Sequence, residues 1–223
     1  MLEKLRKAMK AADIDMLLIP SADPHGSEYP EEYFKARKHF SGFTGSAGTL
    51  LIWQGGAGLW TDGRYFLQAE RQLEGSGIDL FKMREPGVPT VDEFIAENIK
   101  GGVLGADLRT VSASEGMELE KGGAILKDCR SLIDGCWEGR PELSREPAYV
   151  LPMELAGVSS SDKLGAVRAE MAKCDANACI FTDLADIAWL FNIRGNDVKY
   201  LPVALSYAIV EKQKAYVFMD AAK

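Results

Sequence analysis

The sequence predicts an α/β protein: a mixed β-sheet flanked by helices, followed by the start of a second, related α/β domain. Three observations carry that prediction. Apolar runs of strand length alternate with segments of helical period along the chain. Two of these runs, residues 49–53 and 58–61, flank the turn residues Gln54-Gly55-Gly56, so they read as a hairpin and the sheet cannot be wholly parallel. The helix-strand pattern that opens the chain then returns near residue 160.

Taken in order, Leu2, Leu5, Met9 and Ala12 share one face of an amphipathic first helix, which Asp13-Ile14-Asp15 ends. Residues 16–19 are continuously apolar and bounded by Pro20, the mark of a strand buried on both faces. The polar loop 20–30 carries Asp23, His25, Ser27 and Glu28. Asp, His and Glu can ligate a metal, but on a long polar loop they are expected to form turns and stay solvated. Pro30 suits the first turn of a helix reaching about Arg37, with Tyr33 and Phe34 on its apolar side and His39 packing beside Phe40 near its end.

Gly42, Gly45 and Gly48 recur in Ser-Gly-Phe-Thr-Gly-Ser-Ala-Gly, where the chain is expected to bend and approach another backbone closely. Their spacing matches neither the dinucleotide fingerprint nor a P-loop, so the stretch reads as a structural turn rather than a phosphate cradle. After the hairpin the period changes. Phe66, Ala69 and Leu73 fall at helical spacing and Asp62 is placed to cap them, so a helix is expected to begin at Asp62-Gly63-Arg64-Tyr65.

Residues 80–83 read as a strand. Thr90 with Glu93 and Ser112 with Glu115 form capping boxes that open two further helices, and strands follow at 103–106 and near Ile125-Leu126. Pro141, Pro147 and Pro152 interrupt residues 138–152, which places the domain boundary there, with residues 1–152 in the first domain and 153–223 beginning the second. Ser161 is placed to cap a helix carrying Leu164, Val167 and Met171, and residues 178–181 make the next strand. Residues 184–191 read as a core helix with Gly195 as its C-cap. Arg6, Met9 and Asp13 recur 162 positions on as Arg168, Met171 and Asp175, and residues 59–62 resemble 217–220 as an apolar strand ending in aspartate.

A net charge of −7, with both signs interspersed, argues against a nucleic-acid partner, and no apolar run approaches the length of a membrane span. Cysteines at 129, 136, 174 and 179 show no paired metal spacing and read as reduced, mostly buried thiols, so a cytoplasmic setting is expected. Only His25 and His39 are available to histidine chemistry. The one polar cluster with a chemical reading is 62–65. Asp62 can be simply a cap and Arg64 a solvated first-turn residue, yet a guanidinium at a strand-to-helix junction can also make two-pronged bonds to a carbonyl or carboxylate, as substrate clamping requires.

Four stretches, PSADPHGSEY at 20–29, SGFTGSAGT at 41–49, WTDGRYFLQA at 60–69 and IAWLFNIRGNDVKYLPVALSYAIV at 187–210, together resemble the aminopeptidase P family. The likeness is to its long, three-domain members in the creatinase-like pita-bread superfamily; Ala185 stands where an acidic residue is expected. The resemblance implies two related N-terminal α/β domains, the second cut short here, and a C-terminal catalytic domain outside this segment. That domain would hold two divalent metals, commonly Mn²⁺, and hydrolyse the bond before a penultimate proline. It further implies peptide substrates, a homodimer, no membrane or nucleic-acid partner, no catalytic or metal-binding residue in this segment, and no activity for the segment alone. Arg64 would contact substrate, with Asp62 and Tyr65 positioning it. The alternative is a non-catalytic relative that binds peptides or proteins, as histone-chaperone members do.

Overall fold

The computed structural model describes residues 1–223, which divide into two compact units. The first comprises residues 1–23 and 33–141, the second residues 24–32 and 142–223.

In the first unit the order is α1 (Leu2–Ala11), β1 (Met16–Pro20), α2 (Ala36–Ser41), β2 (Thr49–Trp53), β3 (Gly56–Thr61), α3 (Phe66–Leu73), β4 (Asp79–Lys82), α4 (Val91–Ile99), β5 (Val103–Ala106), α5 (Ala113–Lys121), β6 (Ile125–Asp128) and α6 (Arg130–Cys136). The strands form one sheet in the order β4-β3-β2-β1-β5-β6. β2 runs antiparallel to β1 and β3, whereas the β3–β4, β1–β5 and β5–β6 pairs are parallel. The hairpin therefore makes the sheet mixed. Its turn is shorter than the sequence pattern suggests, because Gly56 already pairs with Trp53.

Alternation along the strands sorts the core into two faces. Leu17, Ile19, Leu50 and Leu59 meet Leu5, Met9, Phe40, Ala69 and Ile133 on one side. Met16, Leu18, Leu51 and Trp60 meet Ile95, Ile99 and Leu119 on the other. Burial of each large aliphatic side chain is worth roughly 1.5–3 kcal/mol, which holds helices too short to persist alone. Both capping boxes form: Thr90 and Ser112 each accept from the backbone N–H three residues on, and Glu93 and Glu115 each accept in return at 2.8 Å.

In the second unit come β7 (Tyr149–Val150), α7 (Met153–Ala156), α8 (Ser160–Lys173), β8 (Ala178–Phe181), α9 (Leu184–Leu190), β9 (Ile193–Arg194), β10 (Ser206–Glu211) and β11 (Ala215–Met219). β10 is antiparallel to both β8 and β11, as β2 is to β1 and β3. The three identities of the repeat each have a shared structural cause. Arg6 donates through Nε to Trp53 O at 3.0 Å, and Arg168 to Glu211 O at 2.9 Å, in each case the carbonyl at the end of the middle strand. Met9 and Met171 are buried, and each carbonyl accepts at 2.9 Å from the N–H five residues on. Asp13 and Asp175 take left-handed φ values of 54° and 50°, a conformation aspartate tolerates better than most residues.

Several boundaries differ from the sequence pattern. The segment after Pro30 is not one helix: a 3₁₀ turn at Glu32–Phe34 is separate from α2. The Tyr33 carbonyl accepts from Arg140 Nε and Nη2 instead of continuing a helical ladder. Ser159, not Ser161, caps α8, accepting from Asp162 N at 3.1 Å. α9 closes at Phe191 rather than Gly195. Buried Lys163 donates to Trp189 O and Asn192 Oδ1 there, while Gly195 serves a close approach, since a Cβ on it would lie 2.9 Å from that of Ala204.

The loop 20–30 is not solvated throughout. Asp23 is buried in the first unit, and His25 is buried in the second, donating from Nδ1 to Thr182 O at 3.0 Å and stacking on Tyr207; Glu28 is exposed. Of the thiols, Cys129 and Cys136 are buried, whereas Cys179 is half-buried and Cys174, beyond the last turn of α8, is exposed.

Candidate functional site

The polar cluster stands where β3 gives way to α3. Thr61 ends the strand, its hydroxyl donating to Ala47 O at 2.7 Å, and the chain then turns tightly, with Tyr65 N donating to Asp62 O at 2.9 Å. Asp62 is not the N-cap of α3, which begins at Phe66 after Tyr65 and has no side-chain cap. Its carboxylate is turned to Arg64 instead. Oδ1 accepts from Arg64 N at 3.0 Å and Nε at 2.9 Å, and Oδ2 accepts from Nη2 at 2.8 Å. This bidentate bond holds the Asp62 carboxyl below the ordinary carboxylate range.

Arg64 remains 64% exposed, with its Cζ 5.3 Å from the centre of the Tyr65 ring. Tyr65 is fixed in turn by a 2.8 Å hydrogen bond between its hydroxyl and Ser46 Oγ and by an edge contact with Phe43. With Leu67, Gln68, Arg71 and Gln72, Arg64 lines an open groove. Gln68 and Gln72 both donate to Thr44 Oγ1, and Gln72 accepts from Thr44 N, which ties this face of α3 to the glycine-rich loop.

That loop is structural in detail. Gly42 ends α2 in a left-handed conformation, φ 73°. Gly45 passes so close to the aromatic pair that a Cβ would lie 2.8 Å from the Tyr65 ring. The carbonyls of Phe43 and Gly45 point inward and accept from Arg37, whose guanidinium is buried. Sequence reasoning placed Arg37 only as the end of a helix. The available signal was chemical: a glycine-rich bend that is buried must find donors for its carbonyls.

The aspartate–arginine pairing is not unique to 62–64. Asp107 and Arg109 repeat it, with Nε to Oδ1 at 2.9 Å and Nη2 to Oδ2 at 2.6 Å, and Asp128 with Arg130 makes a looser version. The spacing is therefore a local turn device. What distinguishes Arg64 is greater exposure together with a two-pronged bond: Arg109 is 34% exposed and packs toward Phe34, and Arg130, 46% exposed, lies 3.6 Å from its aspartate. In the second unit the same turn recurs without the arginine: Asp220 accepts from Ala222 N at 2.9 Å, and Lys223 N donates to Asp220 O at 3.1 Å. No group of three or more His, Cys, Asp or Glu side chains is placed to hold a metal ion, and no helix is long and apolar enough to cross a membrane.

Fold and turn together define a duplicated α/β domain, complete across both faces of the sheet in its first copy. Residues 1–136 and, separately, 139–223 match the creatinase/prolidase N-terminal domain, and the chain belongs to that family. A protein of Coccidioides posadasii named Probable Xaa-Pro aminopeptidase P is 41% identical over all of this chain and 37% of its own length. Aminopeptidase P1 of Lotus japonicus is 40% identical over 97% of this chain and 33% of its own. The crystal structure of an X-prolyl aminopeptidase from Caenorhabditis elegans, described as a cytosolic enzyme with a di-nuclear active site, matches all of this chain and 39% of that one, with 34% identity and a TM-score of 0.92. The chain thus spans between 33% and 39% of the length of these relatives.

Proposed function

We propose that this chain is the N-terminal, non-catalytic region of an Xaa-Pro aminopeptidase, a hydrolase that removes the first residue from peptides with proline in second position. The observation that carries the reading is the match of the whole chain to the worm aminopeptidase, in sequence and in backbone alike. The two divalent metals of such an enzyme, Mn²⁺ in this reading, would be held outside these residues, which offer no ligand cluster. The worm protein's description as cytosolic supports a cytosolic setting for this one.

Within the full-length enzyme, Arg64 contacts bound peptide. The Asp62 carboxylate fixes the plane of the guanidinium, the Tyr65 ring supports it, and a well-exposed cation is left at the end of a rigid strand. Such a group suits a carbonyl or carboxylate of an extended peptide. Arg64→Ala in the full-length enzyme is expected to lower kcat/KM about tenfold or more, the scale of one hydrogen bond to a charged group. Unchanged kinetics over several peptide lengths would overturn the contact.

A further inference from the structure

We propose that Arg37 is a positioning residue for Arg64: it holds the glycine-rich loop against Tyr65, and Tyr65 orients the exposed arginine. The inference rests on the reading of Arg64 as a substrate contact.

Arg37 is 6% exposed, and its partners are all neutral. Nη1 donates to Phe43 O and Nη2 to Gly45 O, each at 2.5 Å, and Nε donates to Ser21 Oγ at 2.8 Å. Ser21 passes the constraint on, since its hydroxyl and its backbone N–H both donate to Gly48 O. One guanidinium thus fixes the loop at 43, 45 and 48. A buried cation facing no carboxylate is costly, and burial pushes Arg37 down to about 10. With each of its three nitrogens hydrogen-bonded, such a group specifies a single loop geometry.

Two routes lead from Arg37 to Arg64. Through the rings, Arg37 lies 4.8 Å from the centre of Phe43, Phe43 meets Tyr65 edge to face at 5.8 Å, and Arg64 lies over Tyr65. Through the backbone, the clamped Gly45 carbonyl sits beside Ser46, whose hydroxyl bonds that of Tyr65. The second unit provides an internal control. Its equivalent turn carries Ala222 in place of the arginine, and the loop before it is held by buried Asp197, which accepts from Leu205 N and pairs with Lys223. The arginine clamp and the exposed arginine occur together in one copy; the other has neither, and a carboxylate holds its loop instead.

The test combines kinetics of Arg37→Met, Arg64→Ala and the double variant in the full-length enzyme with hydrogen exchange measured on the same proteins. Arg37→Met is expected to raise KM for an Xaa-Pro peptide about tenfold with little change in kcat, and to add less than twofold to Arg64→Ala. Exchange across residues 62–65 is expected to quicken about tenfold while β5 is unchanged. Arg37→Lys, which keeps the cation but not the fork, recovers part of both effects. Ser46→Ala leaves the buried clamp intact and carries the test if Arg37→Met does not fold; it is expected to raise KM about threefold. A tenfold loss that persists beside Arg64→Ala, or unaltered exchange at 62–65 in folded Arg37→Met or Ser46→Ala, overturns the positioning role. Unchanged kinetics for Arg64→Ala with quickened exchange overturns instead the substrate contact on which the inference rests.

Discussion

The two units share a helix, a strand and a hairpin, but differ in what lies across the sheet from the helix. In the first, α4 and α5 cover the far face, and Leu18 and Trp60 are 7% and 0% exposed. Their counterparts in the second, Ile180 and Phe218, are 70% and 52% exposed. Ile180 pairs with Ile209, which pairs with Tyr216, and Tyr207 pairs with Phe218, so apolar residues run across β8, β10 and β11 on this open face. The helix-side faces are alike: Met171, Cys179 and Val210 pack into one core as Met9, Leu17 and Ile52 do into the other. An apolar alternating pattern thus reports a strand's capacity to be buried, while burial itself is conferred by the elements that arrive to cover it.

The largest test of that contrast is truncation on the two far faces. Trp60 stacks on Phe81 with ring centres 3.9 Å apart and donates from Nε1 to Pro89 O at 2.9 Å. Trp60→Ala should cost about 3–5 kcal/mol by chemical denaturation, whereas Phe218→Ala should cost under about 1 kcal/mol in this chain. Comparable losses would show that the second far face is covered in solution. A smaller effect tests the shared half. Arg6→Ala and Arg168→Ala should each destabilise by about 1 kcal/mol and by equal amounts, because each removes one hydrogen bond to the middle-strand carbonyl. A clear inequality would break the repeat at its most specific identity.

The smallest effect concerns the turn that the units share and the arginine that only one carries. Arg64 holds the Asp62 carboxyl below its ordinary range. The ionised bond therefore steadies the turn at any pH above that range and is lost as pH falls through the lowered value. Carboxyl-carbon NMR should show Asp62 titrating below an ordinary aspartate, with Arg64→Ala returning it to the usual range. An Asp62 already in that range would mean that the bidentate bond does not persist in solution.

Much of the fold was legible because its signals are local. The hairpin, both capping boxes and the first strand follow from period, turn chemistry and short-range hydrogen bonding, and each forms. The misplaced start of α3 has a chemical reason: its candidate cap competes with another partner. Asp62 reads equally well as a cap or as the acceptor for Arg64, and only the guanidinium's position decides. Similarly, nothing in Pro20–Pro30 composition foretells that His25 finds a ring and a carbonyl that offset its desolvation.

The Asp-Gly-Arg-Tyr cluster shows both limits at once. By itself the sequence determined that a strand ends there, that a helix follows and that a guanidinium stands at the junction, because period and residue type are properties of a short stretch. Only the tertiary structure decided that Arg64 is exposed while Arg109 in the same local pairing is packed, and that Arg37, bonded to neutral partners alone, holds the loop beneath Tyr65. Exposure and clamping depend on which distant atoms converge on a side chain, and that information lies in the packing of the whole sheet rather than in any one segment of it.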